Sequence, residues 1–292
     1  MLVRSLRDSF QMRSFQVLKA ARATWRGIVL AFSLLEVLSR FALLRLKRGR
    51  ALNLRDRAEW LHKACETILQ RLSMGVSLSG SMPTSGLIVS NHLSHLDILL
   101  YATALPCIFV SKSEVLDWPM FGILARCGGT IFVERSKVHG VNHPARKLAD
   151  VLRSGIPVIL FPEGTSTDGG SVLPFRSAFF EPAIVTQSPI RAAAIGYSVS
   201  DGNEADLCYY GEIAFFPHLV SVLSRKRAQG HIVFGEEVAG IDRKTTASAA
   251  WKAVVRMRER KIGIAVSEDH PGGQKEHAYP TRTGNQRASS SH

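Results

Sequence analysis

The residues best placed to do chemistry are His92 and Asp97 in the run Asn91-His-Leu-Ser-His-Leu-Asp97, directly after the short apolar segment GLIVS at 86–90. Bounded by turn residues, that segment predicts a buried strand, which puts His92 at a strand's carboxyl end, where open α/β sheets bind ligands. A carboxylate on one imidazole nitrogen fixes the tautomer and stabilises the imidazolium, leaving the other nitrogen to accept a proton. Such a pair would activate a hydroxyl. Asp97 also has a plainer reading, because Ser94-x-x-Asp97 before an apolar run is a capping box with Ser94 as N-cap. The two roles are compatible. A metal reading takes His92, His95 and Asp97 as ligands, with His139 and His143 as a distant second source, but no second cluster of His or Cys lies downstream.

Two further segments place polar residues at strand ends. Phe161-Pro-Glu-Gly-Thr165 follows the apolar run PVIL and makes a sharp exit from the sheet; Gly164 permits positive φ or close approach, and Glu163 is placed to bind hydroxyls or orient a cation. Arg176 in LPFR and Lys112 after IFVS supply cations. In GGTIFVER, Arg135 is a candidate anion clamp, since a guanidinium meets phosphate oxygens with paired hydrogen bonds. The plain alternatives are a loop acid for Glu163 and a surface ion pair for Arg135.

Taken in order, NHLSHLD, GGTIFVER and FPEGTS with its downstream PFR resemble the sequence blocks of glycerolipid acyltransferases, the family of 1-acylglycerol-3-phosphate acyltransferases, across roughly residues 85–200. FPEGTSTDG followed by VLPFRSAFFE also looks like the bacterial branch containing lyso-ornithine lipid O-acyltransferases. The resemblance implies transfer of a fatty acyl group from acyl-CoA or acyl carrier protein to a lysolipid hydroxyl, first 1-acyl-sn-glycerol 3-phosphate, with lyso-ornithine lipid or another lysophospholipid as the alternative. It implies His92 as general base and Asp97 as its partner. It implies that Arg135, Glu163 and Gly164, with Arg176 behind them, bind the acceptor's polar head, and that neither metal nor cofactor is needed; Lys112 beside Arg135 and Thr165 beside Gly164 complete the substrate-binding candidates. The chain departs from the pattern in SPIRAAAI, where Ala192 stands in place of a second proline beside Arg191. That bears on the pocket's shape, not on the catalytic pair.

These residues need a scaffold. Besides 86–90, buried strands are predicted at 106–111, 130–134, 157–161, 190–198 and 231–235, and helices at 55–74, 96–105, 145–155 (stopped by Gly155) and 247–261. Strands alternating with helices predict an α/β fold with a largely parallel central sheet flanked by helices. The reading gives a basic N-terminal helical region (1–75), an α/β domain (76–265) and a polar, disordered tail (266–292).

The charge is uneven. Residues 1–56 carry twelve Lys/Arg and three acids, +9 of the formal +13. Basic residues near an anionic leaflet contribute about 1 kcal/mol each, and no zinc-finger spacing or interleaved aromatics favours nucleic acid. The first long apolar run, 27–46, has no small-residue cleavage site and carries Glu36, Arg40 and Arg45. Those charges predict an amphipathic helix lying in the membrane interface, with a tilted span as the alternative. Four scattered cysteines without a C-x-x-C pair read as reduced thiols. The expected location is the cytoplasmic face of a bacterial inner membrane. A serine hydrolase would need a nucleophile elbow, and G-x-S-x-G is absent; a non-catalytic lipid-binding protein stays open.

Overall fold

The computed structural model describes residues 2–49, 51–118, 121–133 and 143–261, with side chains apart from 2–14, 143 and 261. In chain order the elements are α1 (Leu2–Arg48), α2 (Leu54–Leu72), β1 (Met74–Ser79), β2 (Leu87–Ser90), α3 (Leu96–Ala104), β3 (Ile108–Lys112), α4 (Phe121–Cys127) and β4 (Ile131–Val133). Then come α5 (His143–Arg153), β5 (Val158–Leu160), α6 (Glu181–Val185), β6 (Ile190–Val199), α7 (Phe215–Ser224), β7 (Ala228–Glu237) and α8 (Arg243–Lys261). Arg135 and the tail 266–292 lie outside the described residues.

The seven strands form one sheet in the order β1-β7-β6-β2-β5-β3-β4. Every pairing is parallel except β6 with β7. The expected largely parallel sheet is therefore present. Its middle strands are apolar along their whole length because both faces are covered: Leu87, Ile88, Val89, Val158 and Ile159 are fully buried. On one face Ile88, Ile159 and Ile195 join α2 and α3; on the other Leu87, Val89 and Val158 meet α5 and α8. Parallel strands align their carboxyl ends, so Asn91-His92, Lys112 and Phe161–Glu163 emerge on one edge.

Some elements were not legible from the pattern. Met74–Ser79 falls where the helix beginning at 55 was expected to end; instead Ser73 closes α2 in the left-handed region (φ 55°) and the chain pairs with β7. Helix α7 was also not predicted. Its Pro217 occupies the first turn, where main-chain N–H groups have no helical partner, so the helix tolerates it.

The apolar run 27–46 is part of one helix, α1, that packs lengthwise on the domain. Arg22 donates to Ser224 O (2.7 Å), Val37 O accepts from Trp60 Nε1 (3.0 Å), Glu36 pairs with Arg71 (2.5 Å), and Arg48 meets Asp56 (3.2 Å). At 1.5 Å per residue those contacts extend over about 39 Å of helix. The inward side buries Leu30, Leu34 and Val37, while Leu18, Trp25, Ile28, Phe32, Leu35, Leu43 and Leu46 stay exposed. Residues 15–48 form the one helix among the described residues long and apolar enough to cross a membrane.

Candidate active site

Chain exit from β2 builds the site. Asn91 turns inward and brackets the main chain of Ile195 on the neighbouring strand, donating to its carbonyl and accepting from its N–H, both at 2.9 Å. That clamp fixes where His92 begins. The ring stacks on Phe161 (centroids 4.2 Å apart, planes at 16°), and its Nδ1 meets Asp97 Oδ2 at 2.7 Å. With Nδ1–H donating to the carboxylate, Nε2 carries the lone pair.

Asp97 is completely buried. Besides the imidazole, its Oδ2 accepts from the N–H groups of Leu93 (2.7 Å) and Ser94 (3.2 Å). Its Oδ1 accepts from the hydroxyl of Tyr197 on β6. The capping box predicted here forms only in half. The helix is N-capped by His95, and Ser94 Oγ is buried without a hydrogen-bond partner. The carboxylate's backward reach to the main chain survives because it also aims the imidazole, and no serine cap is needed for that.

Glu163 lies behind the His92 loop. Its Oε1 accepts from His92 N (2.7 Å) and its Oε2 from Leu173 N (2.8 Å). It thus joins two loops by their main chains. Burial raises its carboxyl from 4.5 to about 7, the two amide hydrogen bonds opposing and the nearby Asp97 adding to the shift. The sign of the linkage follows. The folded state binds this proton more tightly than the unfolded chain, so the group's stabilisation is fully present below about pH 4.5 and is lost as pH rises through about 7. Glu163→Gln should flatten the pH dependence of stability in that window; urea unfolding across it, compared with wild type, is the check, and an unchanged slope refutes the assignment.

His92 lines a cavity of about 310 Å³. Its lining includes the polar side chains Lys112, Thr165, Ser166 and Arg176 and the apolar face of α2 at Leu61, Ala64, Cys65 and Ile68. Gly164 also lines it, at φ +74°, and a Cβ there would come within 3.0 Å of the Arg176 guanidinium. Glycine takes that left-handed turn without strain, and a side chain there would press on the guanidinium. Of the predicted residues, then, His92, Lys112, Gly164, Thr165 and Arg176 share the cavity, while Asp97 and Glu163 support it from behind. His95, one candidate metal ligand, sits instead among Trp118, Phe121, Tyr209, Phe215 and His218. Burial first, then His218 and His92, lowers its pKa to about 3, so it is neutral. Among the described residues no group of three or more His, Cys, Asp or Glu is gathered to hold a metal.

Tyr197 and Asn91 were missed as members of the site. Tyr197's only sequence signal is its alternation along β6 with Ala193 and Ile195, which puts it on the face toward α3.

Comparisons with known proteins bear on the family and the fold. Residues 76–196 match the Acyltransferase family model. A lyso-ornithine lipid O-acyltransferase of Rhodobacter capsulatus is 34% identical over 203 residues, covering 66% of this chain and 72% of that protein. The chain belongs to the acyltransferase family. A 1-acyl-sn-glycerol-3-phosphate acyltransferase of Neisseria meningitidis is 28% identical over 163 residues, covering 55% of this chain and 64% of its own length. The chain spans about two thirds of the length of the curated relatives it matches. The solved structure of the 1-acyl-sn-glycerophosphate acyltransferase of Thermotoga maritima superposes with a TM-score of 0.59 at 20% identity, covering 83% of this chain and 94% of that one. The acyltransferase fold is thus shared, and its NHLSHLD and FPEGTS blocks meet at the His92 loop through the Glu163 carboxylate.

Proposed function

We propose that this acyltransferase moves a fatty acyl group from a thioester donor, acyl-CoA or acyl carrier protein, to a lysolipid hydroxyl. The observation carrying the reading is the His92–Asp97 pair at a cavity whose lining holds the cations Lys112 and Arg176 together with apolar residues of α2. A hydroxyl is a poor nucleophile at neutral pH. His92 Nε2 takes its proton as the oxygen attacks the thioester carbonyl; the C–S bond then breaks and the thiolate leaves with that proton, giving an ester and a free thiol. General-base help of this kind contributes about 10²–10⁴-fold. Asp97 carries the compensating charge while the imidazole is protonated. Substrate binding falls to Lys112, Thr165 and Arg176 in the cavity and to Arg135 in the GGTIFVER block.

The extent of the match to the Rhodobacter relative supports lyso-ornithine lipid as acceptor. The second reading, 1-acyl-sn-glycerol 3-phosphate, is supported by the two cations Lys112 and Arg176 in the cavity lining and by the Neisseria relative. The purified full chain in detergent, offered each acceptor with each donor, separates them by thiol release and product mass. Transfer to neither acceptor, or full transfer by His92→Ala, refutes the proposal.

The same reading places the enzyme at a membrane surface on the cytoplasmic side, where both donors occur, with α1 in the plane of the interface. Lengthwise packing over about 39 Å exceeds the roughly 30 Å hydrocarbon core, so a perpendicular α1 would drag α2 and α7 into the bilayer. Its outward stripe at three-, four-, seven- and eight-residue steps is that of an interfacial helix.

A further inference from the structure

We infer that residues 210–220 form a second membrane-docking element, which seats the mouth of the catalytic cavity on a lipid leaflet. The inference rests on the acyltransferase reading for its purpose, but not for its geometry. Tyr209, Tyr210 and Gly211 line the cavity. The chain then runs directly into α7, whose outer face exposes Phe216 (59%) and Val220 (56%), with Ile213 and Tyr210 each 37% exposed before it. Phe216 and Val220, four residues apart, share one face of the helix, and Ile213 lies in the segment just before it.

The inner face of α7 does different work. Phe215 and His218 pack on His95 at 5.0 and 5.1 Å, and His95 is itself part of the cavity wall. One helix therefore presents apolar side chains to the outside and a wall of the site to the inside.

Continuity and charge indicate what covers that outer face. Helix α1, with its own exposed stripe, is fastened to the end of α7: Arg22 donates to Ser224 O and Arg26 to Leu223 O and Arg225 O. Lys19 and Lys226 both approach the Phe15 ring at this junction. Between Tyr209 and Ser224 the only acid is Glu212. At the junction Lys19, Arg22, Arg26, Arg225 and Lys226 outnumber the acids Asp201 and Asp206, which meet Lys226 N and Arg225. A net cationic junction joining two apolar faces complements an anionic leaflet. Seated so, the cavity opens where a lysolipid already lies, and its chain need not cross water.

The test uses the full chain and vesicles of phosphatidylcholine with phosphatidylglycerol. Phe216→Glu with Val220→Glu should weaken co-sedimentation with vesicles at least about tenfold. The KM for a lysolipid presented in the vesicles should rise in step, while kcat in detergent micelles stays unchanged. Phe216→Ser with Val220→Ser, a milder pair, should shift both readings in the same direction and serves if the glutamates prevent folding. Wild-type sedimentation and KM from a folded variant would overturn the inference. So would unchanged vesicle binding with a lost dimer in light scattering, which would make this face a self-association surface. If the wild type transfers to no acceptor in any format, the acyltransferase reading fails while the sedimentation result still judges the docking.

Discussion

Replacing Asp97 by Asn should cost about 10²–10³-fold in kcat while thermal stability changes by no more than about 1 kcal/mol. The argument turns on which way the new amide faces. Two main-chain donors, Leu93 N and Ser94 N, share Oδ2 with the imidazole. An amide oxygen must take that side, so the NH₂ turns to the Tyr197 hydroxyl, which can accept as well as donate. The imidazole keeps its tautomer and the start of α3 keeps its anchor. Only the charge that stabilises imidazolium is lost. Asp97→Ala should differ in kind, leaving two buried N–H groups unpaired at about 1–3 kcal/mol each. Thiol release with urea unfolding on both variants decides it; a wild-type rate for Asp97→Asn removes the carboxylate from the chemistry.

Arg258→Ala should destabilise the fold by about 3–5 kcal/mol, the cost of breaking a buried ion pair from one side. Arg258 is 3% exposed on α8. Its Nη1 donates to Ile195 O (2.9 Å) and Glu204 Oε1 (2.8 Å), and its Nη2 to Gly169 O and Glu204 Oε2 (both 2.8 Å). Removing the guanidinium leaves the Glu204 carboxylate uncompensated, although it still accepts from Tyr197 N (2.8 Å). The damage reaches the site because Ile195 is also the residue Asn91 clamps and Tyr197 is bonded to Asp97. Arg258→Lys should recover only part of the loss, since one ammonium cannot reproduce a bidentate fork. Urea midpoints for the two variants test this; equal midpoints for Arg258→Ala and wild type would show the clamp to be idle.

Much of this architecture could be read along the chain, and the failures have particular causes. Runs such as GLIVS and PVIL are buried on both faces, so continuous apolarity marks them. Met74–Ser79 lacks that mark because it is an edge strand with serines, half exposed. His92 and Asp97 are five residues apart and could be paired by eye. Tyr197 is a hundred residues from Asp97, and only the placement of β6 beside β2 brings it there. Glu163 was expected at the substrate. Its identity was legible, but its hydrogen bonds go to the N–H groups of His92 and Leu173, and a main-chain partner leaves no signature in sequence. Ser94 carried a capping signal that the structure does not use.

The lengthwise seat of α1 decides how the protein can be handled. Cutting the chain after residue 48 would uncover the α2 surface that Leu30, Leu34 and Val37 close, and would leave Trp60 Nε1 without its acceptor. A trimmed protein would exchange one exposed apolar surface for another. Water-soluble material should come instead from repainting: polar replacements at Trp25, Phe32 and Leu35 remove the outward grease and keep every inward contact. For this enzyme the exposed apolar stripe and the wall behind it are one helix, so its outer face can be altered only with the helix left in place.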